Sequence, residues 1–134
     1  IKEVGNCDIG LIEGGICNTE NVEVLRQFRK QCRILVSVGA CAITGGVPAL
    51  RNHFDVNDCL NEAYLDGIGV INPQIPNDIE LPTLLNKVQP IHEVVSIDYY
   101  LPGCPPPADS FVEIITAVME NRDPLLSIIG QRVD

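Results

Sequence analysis

Apolar positions along the chain gather into short continuous runs, and between those runs they recur at the spacing of three and four that marks a helix face. The first run, Cys7 to Gly15 (CDIGLIEGG), is closed by Glu13, Gly14 and Gly15. A helix is expected next: Asn18 or Thr19 can cap it, Glu20 lies in its first turn, and Val24, Leu25 and Phe28 share a face. Arg29, Lys30 and Arg33 fall at or just beyond its end, where cations suit the helix dipole. Arg33 to Gly39 (RILVSVG) is nearly continuous in apolar residues, as a strand buried on both faces requires, and it leads into a turn around Cys41 and a helix start at Pro48. From Asp55, a residue that can cap, Val56, Cys59, Leu60 and Ala63 share one helical face that stops at Gly67, so Cys59 reads as a core residue.

From Gly67 to Pro90 the chain carries Pro73, Pro76 and Pro82 among scattered Ile and Leu. This is far longer than the usual connection of ~4–6 residues, and such loops are functional or covered by a partner. The last unit is a strand in His92 to Tyr100 (HEVVSIDYY), a turn in Leu101 to Asp109 (LPGCPPPAD), and a helix from about Asp109 to Asn121. Phe111, Val112, Ile115, Val118 and Met119 form its apolar side, and Asp123-Pro124 ends it.

Strand, turn and helix repeated in this order predict an α/β fold, a doubly wound parallel sheet in three layers. Its right-handed crossovers bring every strand's carboxyl end to one edge, where open α/β sheets bind ligands. Glu13, Cys41 and Cys104 all fall at that edge, whereas Cys7 and Cys32, at the starts of their strands, fall at the opposite one and read as small apolar residues.

A chain of 134 residues is one domain's worth, able to bury roughly two thirds of its unfolded surface without staples. Nine Lys and Arg against eighteen dispersed Asp and Glu give a formal charge of -9, which argues against nucleic acid and anionic membrane as partners. No run reaches the ~18 apolar residues of a membrane span, and the first ten residues lack the pattern of a secretory signal, so the cytoplasm is the expected compartment. The six cysteines sit on ordinary apolar elements of an intracellular-looking chain, which weighs against disulfides.

The chemistry open to Cys41 and Cys104 narrows with their neighbours. A nucleophile wants a base, yet the chain has only His53 and His92, and His92 begins its strand at the end remote from Cys104. No Cys-x-x-Cys and no Cys/His pairing marks a redox dithiol or a structural zinc site. No phosphate-binding or dinucleotide glycine motif occurs either. Iron–sulfur ligation needs thiolates on turns that clear side chains away and aim amide N–H groups at sulfide; Gly39, Ala40, Ala42, Gly45 and Gly46 around Cys41 supply the small residues such a turn requires, while Pro102, Gly103, Pro105, Pro106 and Pro107 make a stiff turn around Cys104. An ordinary tight turn with a small apolar residue remains the alternative at each position.

Three stretches, Ile12-Glu13-Gly14-Gly15, Val38 to Asn52 (VGACAITGGVPALRN) and Asp98 to Pro106 (DYYLPGCPP), resemble the small, electron-transferring subunit of nickel–iron hydrogenases, in particular the short form of cytoplasmic NAD-reducing enzymes. The resemblance covers essentially the whole chain and implies that residues 1–134 form a single flavodoxin-like iron–sulfur domain carrying one 4Fe-4S cluster. By motif matching, Cys41 and Cys104 are the third and fourth of its four cysteine ligands, with Glu13, Gly39 and Gly103 beside it. The family's first two ligands come from a Cys-x-x-Cys turn after its first strand; that segment is absent here, so the N-terminal portion of the domain is expected to be missing. Cys17, at the end of a neighbouring strand, is a substitute ligand that the family pattern does not support.

The resemblance further implies a hydrogenase large subunit bearing the nickel–iron centre, and diaphorase-type subunits bearing further iron–sulfur clusters, FMN and NAD. No catalytic residue is expected in this chain. Two rivals share parts of the pattern: the quinone-linked cluster subunit of complex I, and a flavodoxin-like domain binding flavin without a cluster. The continuation Gly45 to Asn52 (GGVPALRN) and the long connection before Cys104 favour hydrogenase over the first.

Overall fold

The computed structural model describes residues 5–125. The single-domain expectation also takes in residues 1–4 and 126–134, which lie outside the described residues.

Strands β1 (Cys7–Glu13), β3 (Cys32–Val38) and β5 (Tyr99–Leu101) form a parallel sheet in the order β1-β3-β5. The register pairs Glu13 with Val38 and Val38 with Leu101, so the three strands end in a row on one edge. The central strand β3 is buried from Leu35 to Val38, in keeping with its nearly continuous apolar run. Its side chains alternate between two cores: Leu35 packs with Leu25, Ile16 and Ile91 on one face, and Val36 and Val38 pack with Leu101 and Ile114 on the other. Helices α1 (Thr19–Gln31) and α4 (Ala108–Met119) supply Leu25 and Ile114 to those opposite faces, giving the expected three-layer, doubly wound α/β arrangement.

Local chemistry explains the boundaries. Asn18 caps α1 by accepting the Asn21 N–H at 2.8 Å, and Arg29 and Lys30 occupy its last turn. Asp55 likewise caps α3 (Val56–Tyr64) by accepting the Asn57 N–H at 2.8 Å. At the far edge of the sheet, Arg29 binds the carbonyls of Cys32 and Ser96 and pairs with Asp98, whose carboxylate also accepts the Leu35 N–H at 2.7 Å. One carboxylate therefore sets where β5 starts beside β3.

Five expectations are corrected. The turn around Cys41 is a short helix, α2 (Gly39–Thr44), and a 3-10 helix (Val47–His53) follows it with Pro48 in its first turn. The strand expected from His92 begins only at Tyr99, because Ile91–Glu93 form a 3-10 turn that buries Ile91 in the first core. The Gly67 to Pro90 connection contains β4 (Leu84–Gln89), which pairs antiparallel with a short β2 (Ile16–Asn18) outside the main sheet. Cys59 is half-buried and Ala63 exposed, since α3 packs on β4 and the 3-10 helix rather than on the central sheet, and only Val56 of its apolar face is buried.

The buried side of α4 is also rotated from the expected one, being Ser110, Ile114, Ala117 and Val118, while Val112, Ile115 and Met119 face solvent. The sequence of α4 is apolar nearly all round, so its periodicity does not single out a face.

Two carboxylates of this framework titrate low. Burial raises Asp98, but the Arg29 hydrogen bond and the Leu35 N–H outweigh it and leave it below its ordinary value of 3.8. Glu113, held by Arg122 through both oxygens and by the Leu125 N–H, falls from 4.5 to about 2. A carboxyl depressed on folding contributes stability above its unfolded pKa and loses it as pH falls through the folded one. Glu113→Gln is therefore expected to lower the melting temperature at pH 6, with the gap to wild type closing between pH 4.5 and about 2. A gap unchanged over that interval would show that the pair is not stabilising.

Candidate iron–sulfur cleft

The row of strand ends opens into a cleft of about 440 Å³ with mostly apolar walls. Glu13 and Gly14 line it from the end of β1, Val38, Gly39, Ala40 and Cys41 from the end of β3, and Gly103, Cys104, Pro105 and Pro106 from the turn after β5. Parallel register is what delivers them: each strand stops level with its neighbour, so the three following turns meet. Glu13, Gly39, Cys41, Gly103 and Cys104, singled out along the sequence, thus line one cleft. Cys41 is half-buried, while Cys104 and Glu13 are exposed.

The two cysteine turns are stitched together. The Ala40 N–H donates to the Gly103 carbonyl at 2.9 Å, locking the start of α2 to the turn that carries Cys104. Gly103 has φ +138, and a Cβ there would be driven into the backbone of Pro106, so only glycine fits. Gly46 lies over the Cys41 sulfur, with its Cβ position 2.8 Å from Sγ; any larger residue would have to displace that thiol.

Sequence reasoning missed the outer clamp of this site. Arg51 donates to the Leu85 carbonyl at 2.8 Å and Asn52 forms a two-point amide pair with Val88, accepting its N–H at 2.7 Å and donating to its carbonyl at 2.9 Å. The segment after Cys41 is thereby pinned to β4, and the long connection is anchored beside the cleft. An Arg-Asn pair closing an otherwise apolar stretch was the available signal. Asn52→Ala leaves both polar groups of the buried Val88 unpaired, with an expected loss of about 1–3 kcal/mol. Chemical denaturation of the assembled protein checks this; a loss below about 0.5 kcal/mol would mean that water replaces the amide.

The other cysteines lie elsewhere. Cys17, on β2, is not among the cleft residues, and its thiol lies 3.2 Å from the Asn21 side-chain oxygen, to which it donates. Cys59 is on α3, and Cys7 and Cys32 are at the opposite end of the sheet. Among the described residues no group of three or more His, Cys, Asp or Glu converges on a metal-binding position. The cleft thus offers two thiols and walls of glycine, alanine and proline that leave room for a bulky inorganic group. That fits half of a four-thiolate set.

Residues 1–118 match the family described as NADH ubiquinone oxidoreductase, 20 Kd subunit. The NAD-reducing hydrogenase HoxS subunit delta of Cupriavidus necator is 44% identical over 119 residues, covering 87% of this chain and 57% of that protein. A subunit of the F420-non-reducing hydrogenase of Methanothermobacter marburgensis is 37% identical over 123 residues, covering 90% of this chain and 40% of the relative. The chain therefore spans about half the length of these curated relatives. A crystal structure of an NAD+-reducing [NiFe]-hydrogenase in the H2-reduced state superposes with a TM-score of 0.89 at 53% identity, over 92% of this chain and 70% of that one. With the fold, the converging strand ends and these likenesses together, the chain belongs to the family of the 20 kDa NADH ubiquinone oxidoreductase subunit, among its nickel–iron hydrogenase small subunits.

Proposed function

We propose that this chain is the electron-relay small subunit of an NAD-reducing nickel–iron hydrogenase, residues 1–134 being part of one iron–sulfur domain, and that Cys41 and Cys104 are two of the four ligands of a 4Fe-4S cluster. The observation that carries the reading is the meeting of these two thiols in one glycine-lined and proline-lined cleft at the carboxyl edge of the sheet. When bound, the cluster would pass single electrons from the large subunit's nickel–iron centre towards further iron–sulfur clusters, FMN and NAD on diaphorase-type subunits.

The chain's own residues have simpler tasks. Cys41, fixed at the start of α2 under Gly46, and Cys104, fixed by the Gly103 turn, bring their sulfurs to the cleft from two different turns. Pro105 and Pro106 bring apolar surface and no backbone N–H to the cleft wall, limiting water beside the group. Glu13 at the rim is placed to hydrogen-bond an amide at the cleft or a residue of the large subunit.

An obligate partner is supported by what solvent touches: Phe54 is 67% exposed, and Ile68, Ile71 and Ile79 of the long connection are almost wholly so. Such apolar exposure marks an interface. No helix among the described residues is long and apolar enough to cross a membrane, and the net charge of -9 fits neither nucleic acid nor an anionic lipid surface as partner, in line with a cytoplasmic complex.

The visible spectrum of the native complex, purified without oxygen and stripped of its flavin-bearing subunits, tests the reading. A broad brown absorption with about four irons per small subunit is expected. Resolved flavin bands without iron would overturn it in favour of a flavin-binding domain. The quinone-linked relative also draws support from the family description.

A further inference from the structure

At the edge of the sheet remote from the cleft, Cys7 and Cys32 are register partners on adjacent strands, and their sulfurs lie 2.8 Å apart as free thiols. We propose that they form a redox-active thiol pair, a modification site that a hydroperoxide closes to a disulfide.

Adjacent strands run about 4.8 Å apart, inside the roughly 4.4–6.8 Å between Cα atoms that a disulfide spans. The pocket is shaped for the second sulfur. Cys32 is buried beneath the Phe28 ring, and the Cβ position of Gly10 overlaps its Sγ, so a side chain at residue 10 would expel it. Cys7 is half-buried and is the thiol an oxidant reaches.

Unequal burial sets the order of events. Burial, and then the hydrogen bond that the Cys32 S–H gives to the Cys7 sulfur, pushes the Cys32 thiol up to about 12, so it waits as the protonated partner. The Cys7 sulfur attacks the peroxide and takes one oxygen to become a sulfenic acid, and the thiol proton leaves with the other oxygen as an alcohol, or as water from hydrogen peroxide. The Cys32 sulfur then displaces the sulfenic hydroxyl, which leaves with the Cys32 proton as water. The two thiols lose two electrons and two protons, the O–O bond takes up both, and one S–S bond joins β1 to β3. Seven residues of β3 separate this edge from the cleft, roughly 20 Å, so the step involves neither Cys41 nor Cys104. The inference is independent of the proposed cluster.

Treating the anaerobically purified complex with equimolar hydrogen peroxide, alkylating the remaining thiols and mapping peptides tests it. Cleavage after arginine and after Glu13 separates Cys7, Cys17 and Cys32 onto different peptides. The expected result is joint loss of the alkylated Cys7 and Cys32 peptides, appearance of one cross-linked species, and its reversal by dithiothreitol. Cys7→Ser should abolish the cross-link while leaving bound iron unchanged. Independent oxidation of Cys7 to sulfinic acid with Cys32 still alkylatable would overturn the proposal, as would cross-linking of Cys7 to Cys17, Cys41 or Cys104, or an unchanged thiol map.

Discussion

Replacing Cys104 with Ser, or Cys41 with Ser, is expected to strip most of the about four iron atoms per chain from the complete complex, because loss of one thiolate from a four-thiolate cluster exposes iron to water and oxygen. The two positions differ in exposure, Cys104 open and Cys41 half-buried under Gly46, so Cys104→Ser should lose iron faster on exposure to air. Cys59→Ala is the control: its side chain is half-buried on α3, away from the cleft, and its removal should cost less than ~1 kcal/mol and leave iron unchanged. Cys17→Ala should also retain iron, since that thiol faces Asn21. Iron counted by a colorimetric chelator on anaerobically purified variants decides the matter. Equal loss across all four would show that iron retention follows general destabilisation and not ligation at this cleft.

The second large effect separates electron export from bond cleavage. In the assembled complex, Cys104→Ser should reduce hydrogen-driven NAD reduction to background while isotope exchange between deuterium gas and water continues, because exchange at the large subunit needs no net electron removal. The chain's contribution would then lie in holding the exit path; among the described residues that line the cleft, Glu13 is the one acid or base beside the two thiols. Loss of exchange in a nickel-loaded, assembled Cys104→Ser complex would place part of the cleavage machinery on this chain. Absence of hydrogen chemistry in the wild-type complex would favour the quinone-linked relative instead.

Much of this arrangement is legible in the order of residues. The buried strand Cys32–Val38 announces itself by a nearly continuous apolar run, the starts of α1 and α3 by Asn18 and Asp55, and the turn at Cys104 by glycine and prolines that no interior strand or helix favours. These are local signals, read within a few residues of where they act. Once three parallel strands are inferred, their common direction puts Glu13, Cys41 and Cys104 on one edge.

What local order does not carry is which of several acceptable partners each segment finds. The α4 helix is apolar on nearly every side, so its inward face is chosen by packing on Val36, Val38 and Leu101, not by its period. The long connection yields β4 because β2 presents a short open edge and because Arg51 and Asn52 hold the backbone of Leu85 and Val88, hydrogen bonds between groups more than thirty residues apart. The early part of the expected last strand is lost to a 3-10 turn since Ile91 fills the core beside Leu35, with Asp98 starting the strand proper. Cys7 and Cys32, each an ordinary apolar position in the sequence, meet because parallel register makes them neighbours and Gly10 leaves room for a sulfur. The sequence by itself determined the elements, their caps and the edge where the thiols gather; tertiary structure decided faces, the added strand pair and the second thiol meeting, because those depend on contacts whose free energy exists only once distant segments are brought together.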